Sequence, residues 1–218
     1  MKKIGIIHTS FVSVEDLKRL FKEIIPDAEL TNIVDDSLLR EVSANGGINE
    51  NIIRKMCIYA DNLRREKVDL IFNQCSSVGE AFEIATLDYE IPVLRVDRAA
   101  AEKAAEIAKT EIAVVATVKS TVAPSTRIVE RAVEKLGKNI RVKPILVDGA
   151  LEILMKEGDR EKHNQLVKEA IREAEKTADV IVLAQGSMLV LEPELVGYNK
   201  LILTTPKLGV EMAKEMLK

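Results

Sequence analysis

Tryptophan is absent from this 218-residue chain, aromatic residues make up only 3% of it, and it holds just two cysteines and two histidines. Each shortage removes a class of protein. Cys57 and Cys75 lack metal-ligand spacing, so they provide neither a disulfide framework nor a zinc site. No hydrophobic run approaches the roughly 20 residues of a membrane-spanning helix. Positive charge is not in excess either. The net charge of −3 leaves no broad basic surface for nucleic acid. Met1-Lys2-Lys3-Ile4 leads straight into a strand pattern and not into a signal peptide, so a cytoplasmic location is expected. What remains, 47% hydrophobic and 31% charged, is the composition of a globular chain with a real core.

Apolar runs of strand length alternate with helical patterns. Ile4 to Ile7, Ala28 to Val34, Val68 to Phe72 and Ile91 to Val96 read as strands in the first half. Ile112 to Ala116, Val142 to Val147, Val180 to Leu183 and Leu201 to Leu203 follow in the second. Between them Leu17, Leu20, Phe21 and Ile24 form one helical face, as do Ile52, Ile53, Met56, Cys57, Ala60 and Leu63. Ser13, Asn49 and Asp159 are expected helix caps, with Asp16 completing a capping box with Ser13. Ser43 to Gly47 reads as a loop, and Pro124 as the first turn of a helix. The class is α/β with parallel sheets.

One stretch carries chemistry. Val68-Asp69-Leu70-Ile71-Phe72-Asn73-Gln74-Cys75-Ser76-Ser77-Val78 is a buried strand that runs into a polar turn with a thiol, and a helical pattern follows. Free backbone N–H groups and the helix dipole at such a turn suit an anion and are expected to stabilise a thiolate. Cys57, set among apolar residues in mid-helix, is expected to be a buried structural thiol, and His163 a surface residue.

The two halves repeat. Ile6-Ile7-His8-Thr9 matches Val114-Val115-Ala116-Thr117, and Ile33-Val34-Asp35-Asp36 matches Leu146-Val147-Asp148-Gly149. Asn73-Gln74-Cys75-Ser76 matches Ala184-Gln185-Gly186-Ser187, which pairs Cys75 with Gly186. The expected architecture is two pseudo-symmetric parallel-sheet α/β lobes from an internal duplication, with strand ends converging on a cleft. Residues 1–97 plus 206–218 would form the first lobe and 98–205 the second.

A duplicated α/β chain with a Cys-Ser-Ser turn in its first half resembles the aspartate/glutamate/hydantoin racemase superfamily. Thr117-Val118-Lys119-Ser120-Thr121-Val122 is also similar to the Thr-x-x-x-Thr-Val loop of its hydantoin branch. The resemblance implies a thiol from each lobe, one taking a proton from the substrate's acidic carbon and the other delivering one to the opposite face. It implies no metal or other cofactor. It implies a small carboxylate or hydantoin as partner, and it allows a second copy of the chain.

Cys75 is the expected acid/base, with His8 as a candidate second proton carrier because its pKa lies near neutrality. Thr9, Ser10, Ser76, Ser77, Thr117, Ser120, Thr121, Gln185, Gly186 and Ser187 are the expected substrate-binding set. The second cysteine of the family pattern has no match here. Three readings therefore stay open: a racemase-like isomerase, a one-thiol lyase, and a binding member without catalysis.

Overall fold

The computed structural model describes residues 1–218 and divides into two compact units, Met1–Val96 with Pro206–Lys218, and Asp97–Thr205. Each unit is built on a four-stranded, all-parallel sheet.

In the first unit the order of elements is β1 (Lys2–His8), α1 (Val14–Ile24), β2 (Ala28–Val34), α2 (Ser37–Asn45), α3 (Glu50–Arg65), β3 (Leu70–Asn73), α4 (Gly79–Ala85) and β4 (Val93–Arg95). The strands lie in the order β2-β1-β3-β4. β1 is central, pairing Ile7 with Ile33 on one side and with Asn73 on the other. All four β3 residues are buried, as expected of a strand covered on both faces. On one face Ile7 and Ile71 meet Ile52, Met56, Ala60 and Leu63 of α3. Close approach there needs Gly5, because a Cβ would stand 2.8 Å from both Leu63 methyls. Phe72 projects to the other face and meets Phe21 of α1 edge-on at 5.4 Å.

In the second unit α5 (Arg98–Ile107) precedes β5 (Glu111–Ala116), α6 (Lys119–Lys135), β6 (Arg141–Leu146), the short α7 (Ala150–Glu152) with a π-turn at Ile153–Glu157, α8 (Arg160–Ala174), β7 (Val180–Leu183), a 3-10 segment at Gly186–Glu194 and β8 (Leu201–Thr204). The order β6-β5-β7-β8 repeats that of the first unit. Pro144 is tolerated because β6 is an edge strand. Val167, Ile171 and Ala174 of α8 pack on Val115, Ile181 and Leu183. The last helix, α9 (Thr205–Met216), places Gly209 against Val96 and Phe72, where a Cβ would be 2.8 Å from the Val96 carbonyl oxygen.

Several local expectations are corrected. Ser43 belongs to α2, which ends on a left-handed Gly46. Pro124 lies well inside α6, not in its first turn. The alanine-rich α5 carries no large apolar stripe and escapes a periodicity reading, although Ala100, Ala101, Ala104 and Ala105 are buried. Asn49 and Asp159 cap α3 and α8 as expected, but Ser13 makes no capping bond. Cys57 is exposed, because the buried stripe of α3 runs through Ile52, Met56, Ala60 and Leu63 and leaves it one position off. His163 is fully buried on the inner face of α8 despite its charged neighbours in sequence.

Candidate functional site

In each sheet the chain leaves the central strand in opposite directions: β1 lies between β2 and β3, and β5 between β6 and β7. The crevice beyond the C-terminal ends of such a strand pair is where open α/β sheets take ligands. In the first unit the residues beyond those ends are Thr9 after β1 and Gln74-Cys75 after β3.

The Cys75 turn is pinned at both flanks. The Asn73 side chain donates from Nδ2 to the carbonyl oxygen of Cys75 at 2.9 Å. The Gln74 backbone N–H donates to the Ile7 carbonyl at 3.0 Å, which extends the β1 ladder by one step. Its side chain donates from Nε2 to Ser13 Oγ at 2.5 Å. Ser13 is thereby spent on the turn and not on capping α1. A 3-10 turn, Ser76–Val78, then leads into α4.

Four donors address the Cys75 sulfur: the Thr9 hydroxyl, the Ser77 backbone N–H and hydroxyl, and the Val78 N–H. Each favours the thiolate. Burial of the sulfur is nevertheless the largest influence and pushes the thiol up from its ordinary value. This corrects the expectation of a thiolate stabilised outright by a helix start. The turn that follows Cys75 is three residues long, and the enclosing protein outweighs it. Cys75 keeps part of its surface open while packing against the α3 side of the sheet.

His8 ends β1, one residue before Thr9. Side chains alternate along β1, and Ile7 faces the cluster against which Cys75 packs, so His8 points to the other face. It is fully buried, with Nε2 2.9 Å from Asn32 Oδ1 and with Nδ1 lacking a partner. Desolvation, with a smaller contribution from Lys18, lowers its pKa against the opposing effect of the Asn32 bond.

The second unit repeats the turn with other side chains. The offset between the units follows from the backbone. Asn73 pairs with Ile7 as Leu183 pairs with Val115. Gln74 donates to Ile7 as Ala184 donates to Val115, and Val78 to Cys75 as Met188 to Gln185. Asp69 and Asp179, just before the two strands, keep the same spacing. Gln185, not Gly186, therefore repeats Cys75, and Ser187 repeats Ser77. The expected pairing of Cys75 with Gly186 was one residue out of step.

The side-chain contacts repeat too. Thr117, which follows β5 as Thr9 follows β1, bonds Gln185. Its N–H and its hydroxyl both donate to Oε1, the hydroxyl at 3.0 Å. Ser187 Oγ is buried and has no partner. Thr121 is buried in the first turn of α6, with Ser120 partly so and Lys119 exposed. Ser76 is buried and Ser10 partly exposed, each on the same loops as Cys75 and Thr9.

The contacts thus join Thr9 and Ser77 to Cys75, and Thr117 to Gln185. They do not join His8 to Cys75. Asn73 and Ser13 were not foreseen as supports of the turn. No group of three or more His, Cys, Asp or Glu side chains is placed to hold a metal ion, and no helix is long and apolar enough to cross a membrane.

Comparison with known proteins places this geometry in context. A family model described as Asp/Glu/Hydantoin racemase matches residues 4–213. A glutamate racemase from Bacillus anthracis superposes with a TM-score of 0.79 at 17% identity, covering 99% of this chain and 81% of that one. An aspartate racemase from Picrophilus torridus gives 0.73 at 15% identity, covering 99% and 94%. An allantoin racemase from Klebsiella pneumoniae gives 0.66 at 16% identity, covering 100% and 88%. No curated protein matches by sequence.

Proposed function

Since the chain belongs to the Asp/Glu/hydantoin racemase family, we propose that it is a racemase-type enzyme acting at the acidic carbon of a small carboxylate or hydantoin, without a cofactor and with Cys75 as its acid/base. The observation that carries this is the set of donors around one sulfur: Thr9, Ser77 and Val78. They do what proton transfer from carbon requires. They lower the cost of the thiolate inside a desolvated turn, where a thiolate is a strong base. Burial supplies the opposing half. It keeps the resting group a thiol, able to return a proton once a substrate anion is formed.

The substrate class is supported by the family and by the chemistry of the turns. Ser10 and Ser76, on the loops that carry Thr9 and Cys75, suit a carboxylate or an imide oxygen. Thr117, Ser120, Thr121 and Ser187 form the equivalent polar set of the second unit. A carbonyl next to the reacting carbon makes the proton acidic enough for a thiolate and spreads the resulting charge over oxygen.

A second reading, a one-thiol lyase, is favoured by a specific observation. Gln185 repeats Cys75 in the second unit, and a carboxamide has no ionisation near neutral pH that would let it act as a general acid or base. In a decarboxylation, loss of carbon dioxide generates the carbanion and one thiol suffices to protonate it.

The test is incubation of the purified protein in D2O with candidate acids and hydantoins. Deuterium should enter at the acidic carbon with wild type and not with Cys75→Ala. Equal incorporation by both proteins would remove Cys75 from the chemistry. Carbon dioxide release from a disubstituted malonate would select the lyase.

A further inference from the structure

We infer that the second unit carries its own binding site for a small carbonyl compound with an adjacent N–H, an amide or imide, held by His163 Nε2 as acceptor and by Ser187 and Gln185 as donors. Every group in it belongs to Asp97–Thr205, so it stands independently of the role of Cys75.

The position of His163 follows from α8. The buried stripe of α3, Ile52, Met56, Ala60 and Leu63, recurs at the same intervals in α8 as His163, Val167, Ile171 and Ala174. His163 therefore stands where the first unit has Ile52, a member of the cluster against which Cys75 packs. β6 and β7 both run parallel to β5, so α8 between them runs the opposite way. From Ala174 back to His163 the helix covers roughly 16 Å, and from Val180 forward to Gln185 an extended chain covers about the same. His163 is thus level with the Gln185 turn. It is also on the same face. Val167, one turn from His163, shares a core cluster with Leu183 and with Met188, the neighbour of Ser187. Gln185 is still extended, at φ −142° and ψ 147°, and so faces the side that Leu183 faces.

His163 is fully buried, with Nδ1 2.9 Å from Asn164 Oδ1. A carboxamide oxygen only accepts, so Nδ1 carries the ring proton. Burial, with a smaller contribution from Arg160, lowers the pKa against the opposing effect of that bond. Nε2 is then a bare acceptor, and it has no partner. Ser187 Oγ is buried and unpartnered as well. Gln185 Oε1 is taken by the Thr117 N–H and hydroxyl, which leaves the carboxamide N–H groups to donate. Buried polar groups without partners destabilise a fold, and a ligand that bonds them removes the penalty. Packing does not call for the imidazole, since an isoleucine fills the repeated place. One acceptor beside two donors complements an N–H next to a C=O. A carboxylate would set oxygen lone pairs against Nε2, and an ammonium buried among these neutral groups would lack a counter-charge.

The experiment uses the full chain with nitrogen-15-labelled histidine and succinimide as the probe. N-methylsuccinimide, which lacks the N–H, succinate and alanine are the controls. The chain has only two imidazoles, and the one missing from the spectrum of His163→Ile is that of His163. In the free protein its Nε2 should resonate as an unprotonated nitrogen and should move on addition of succinimide in the millimolar range. Each control should bind at least about tenfold more weakly by ligand-observed NMR. His163→Ile and Ser187→Ala should each weaken succinimide by a similar factor. His163→Ile should also raise the melting temperature of the free protein, because it restores the apolar residue of the first unit and removes an unpartnered nitrogen. An Nε2 resonance unmoved by succinimide, or equal affinity for any control, overturns the inference. So does a lower melting temperature of His163→Ile together with unchanged affinity in Ser187→Ala, which would assign the imidazole to folding alone. None of these measurements reads proton exchange at carbon, so their failure leaves the proposed role of Cys75 untouched.

Discussion

Asn73 Nδ2 donates to the carbonyl oxygen of Cys75 at 2.9 Å, closing the turn that presents the thiol. The corresponding residue of the second unit is Leu183, so this bond has no counterpart there. Asn73 is fully buried, and its Oδ1 lacks a partner. Asn73→Leu should therefore be tolerated by the fold yet release the turn. The expected result is a fall of about tenfold in the Cys75-dependent exchange rate, from loss of positioning, with the melting temperature changed little. An exchange rate equal to wild type would show that the turn holds its shape without the bond.

The Cys75 thiol is pushed up by burial and drawn down by its donors, with burial the larger effect. Its alkylation by iodoacetamide, followed by peptide mass spectrometry in a Cys57→Ser background, should still be accelerating above the ordinary thiol pKa of about 8.5. Thr9→Val removes one donor to the sulfur and should move the profile further up. A plateau below neutral pH in wild type would contradict the balance described here.

His8 follows Ile7 along β1, so strand alternation turns it to the other face of the sheet, and burial lowers its pKa. His8→Gln can keep a bond to Asn32, and the exchange rate should stay within a few-fold of wild type. A loss on the order of 10²-fold or more, with a normal melting temperature, would instead assign His8 a proton-transfer role.

Asp179 Oδ2 accepts from the N–H groups of Lys109, Thr110 and Glu111 and from the Thr110 hydroxyl. These bonds hold its carboxyl at about 2, below the ordinary 3.8. A depressed carboxyl stabilises the fold above its unfolded pKa, and that contribution fades as pH falls toward the folded value. Asp179→Ala should cost about 2 kcal/mol near neutral pH, the worth of hydrogen bonds to a charged acceptor. The melting-temperature gap between wild type and variant should narrow as pH drops from about 4 toward 2. A gap independent of pH would mean that the carboxylate charge is not what holds the strand entry.

Much of the architecture was legible in the order of residues. β3 and β5 are buried throughout, and their apolar runs announce parallel strands. The Asn49 and Asp159 caps read correctly because their bonds are local. α5 was illegible because alanine carries little periodic signal. Ser13 was misread because its partner, Gln74, lies 61 residues away. Cys57 and His163 exchanged their expected environments because a single helical position, about 100° of rotation, decides which side of a helix is buried.

The same limit applied at the Cys75 turn. Its apolar strand and polar exit identified the residue without any structure, as did the absence of a cysteine from residues 98–205. Short sequence matches tolerate a slip of one residue, and this one aligned Cys75 with Gly186. Strand pairing does not tolerate it, because each backbone N–H has one geometric partner, and a slip of one turns every side chain to the opposite face. The ladders of β3 on β1 and β7 on β5 therefore decided that Gln185 repeats Cys75. Sequence alone determined that one thiol lies at a strand end. Only the tertiary hydrogen bonds decided which donors surround it, that burial outweighs them, and that an oriented carboxamide stands at its repeat.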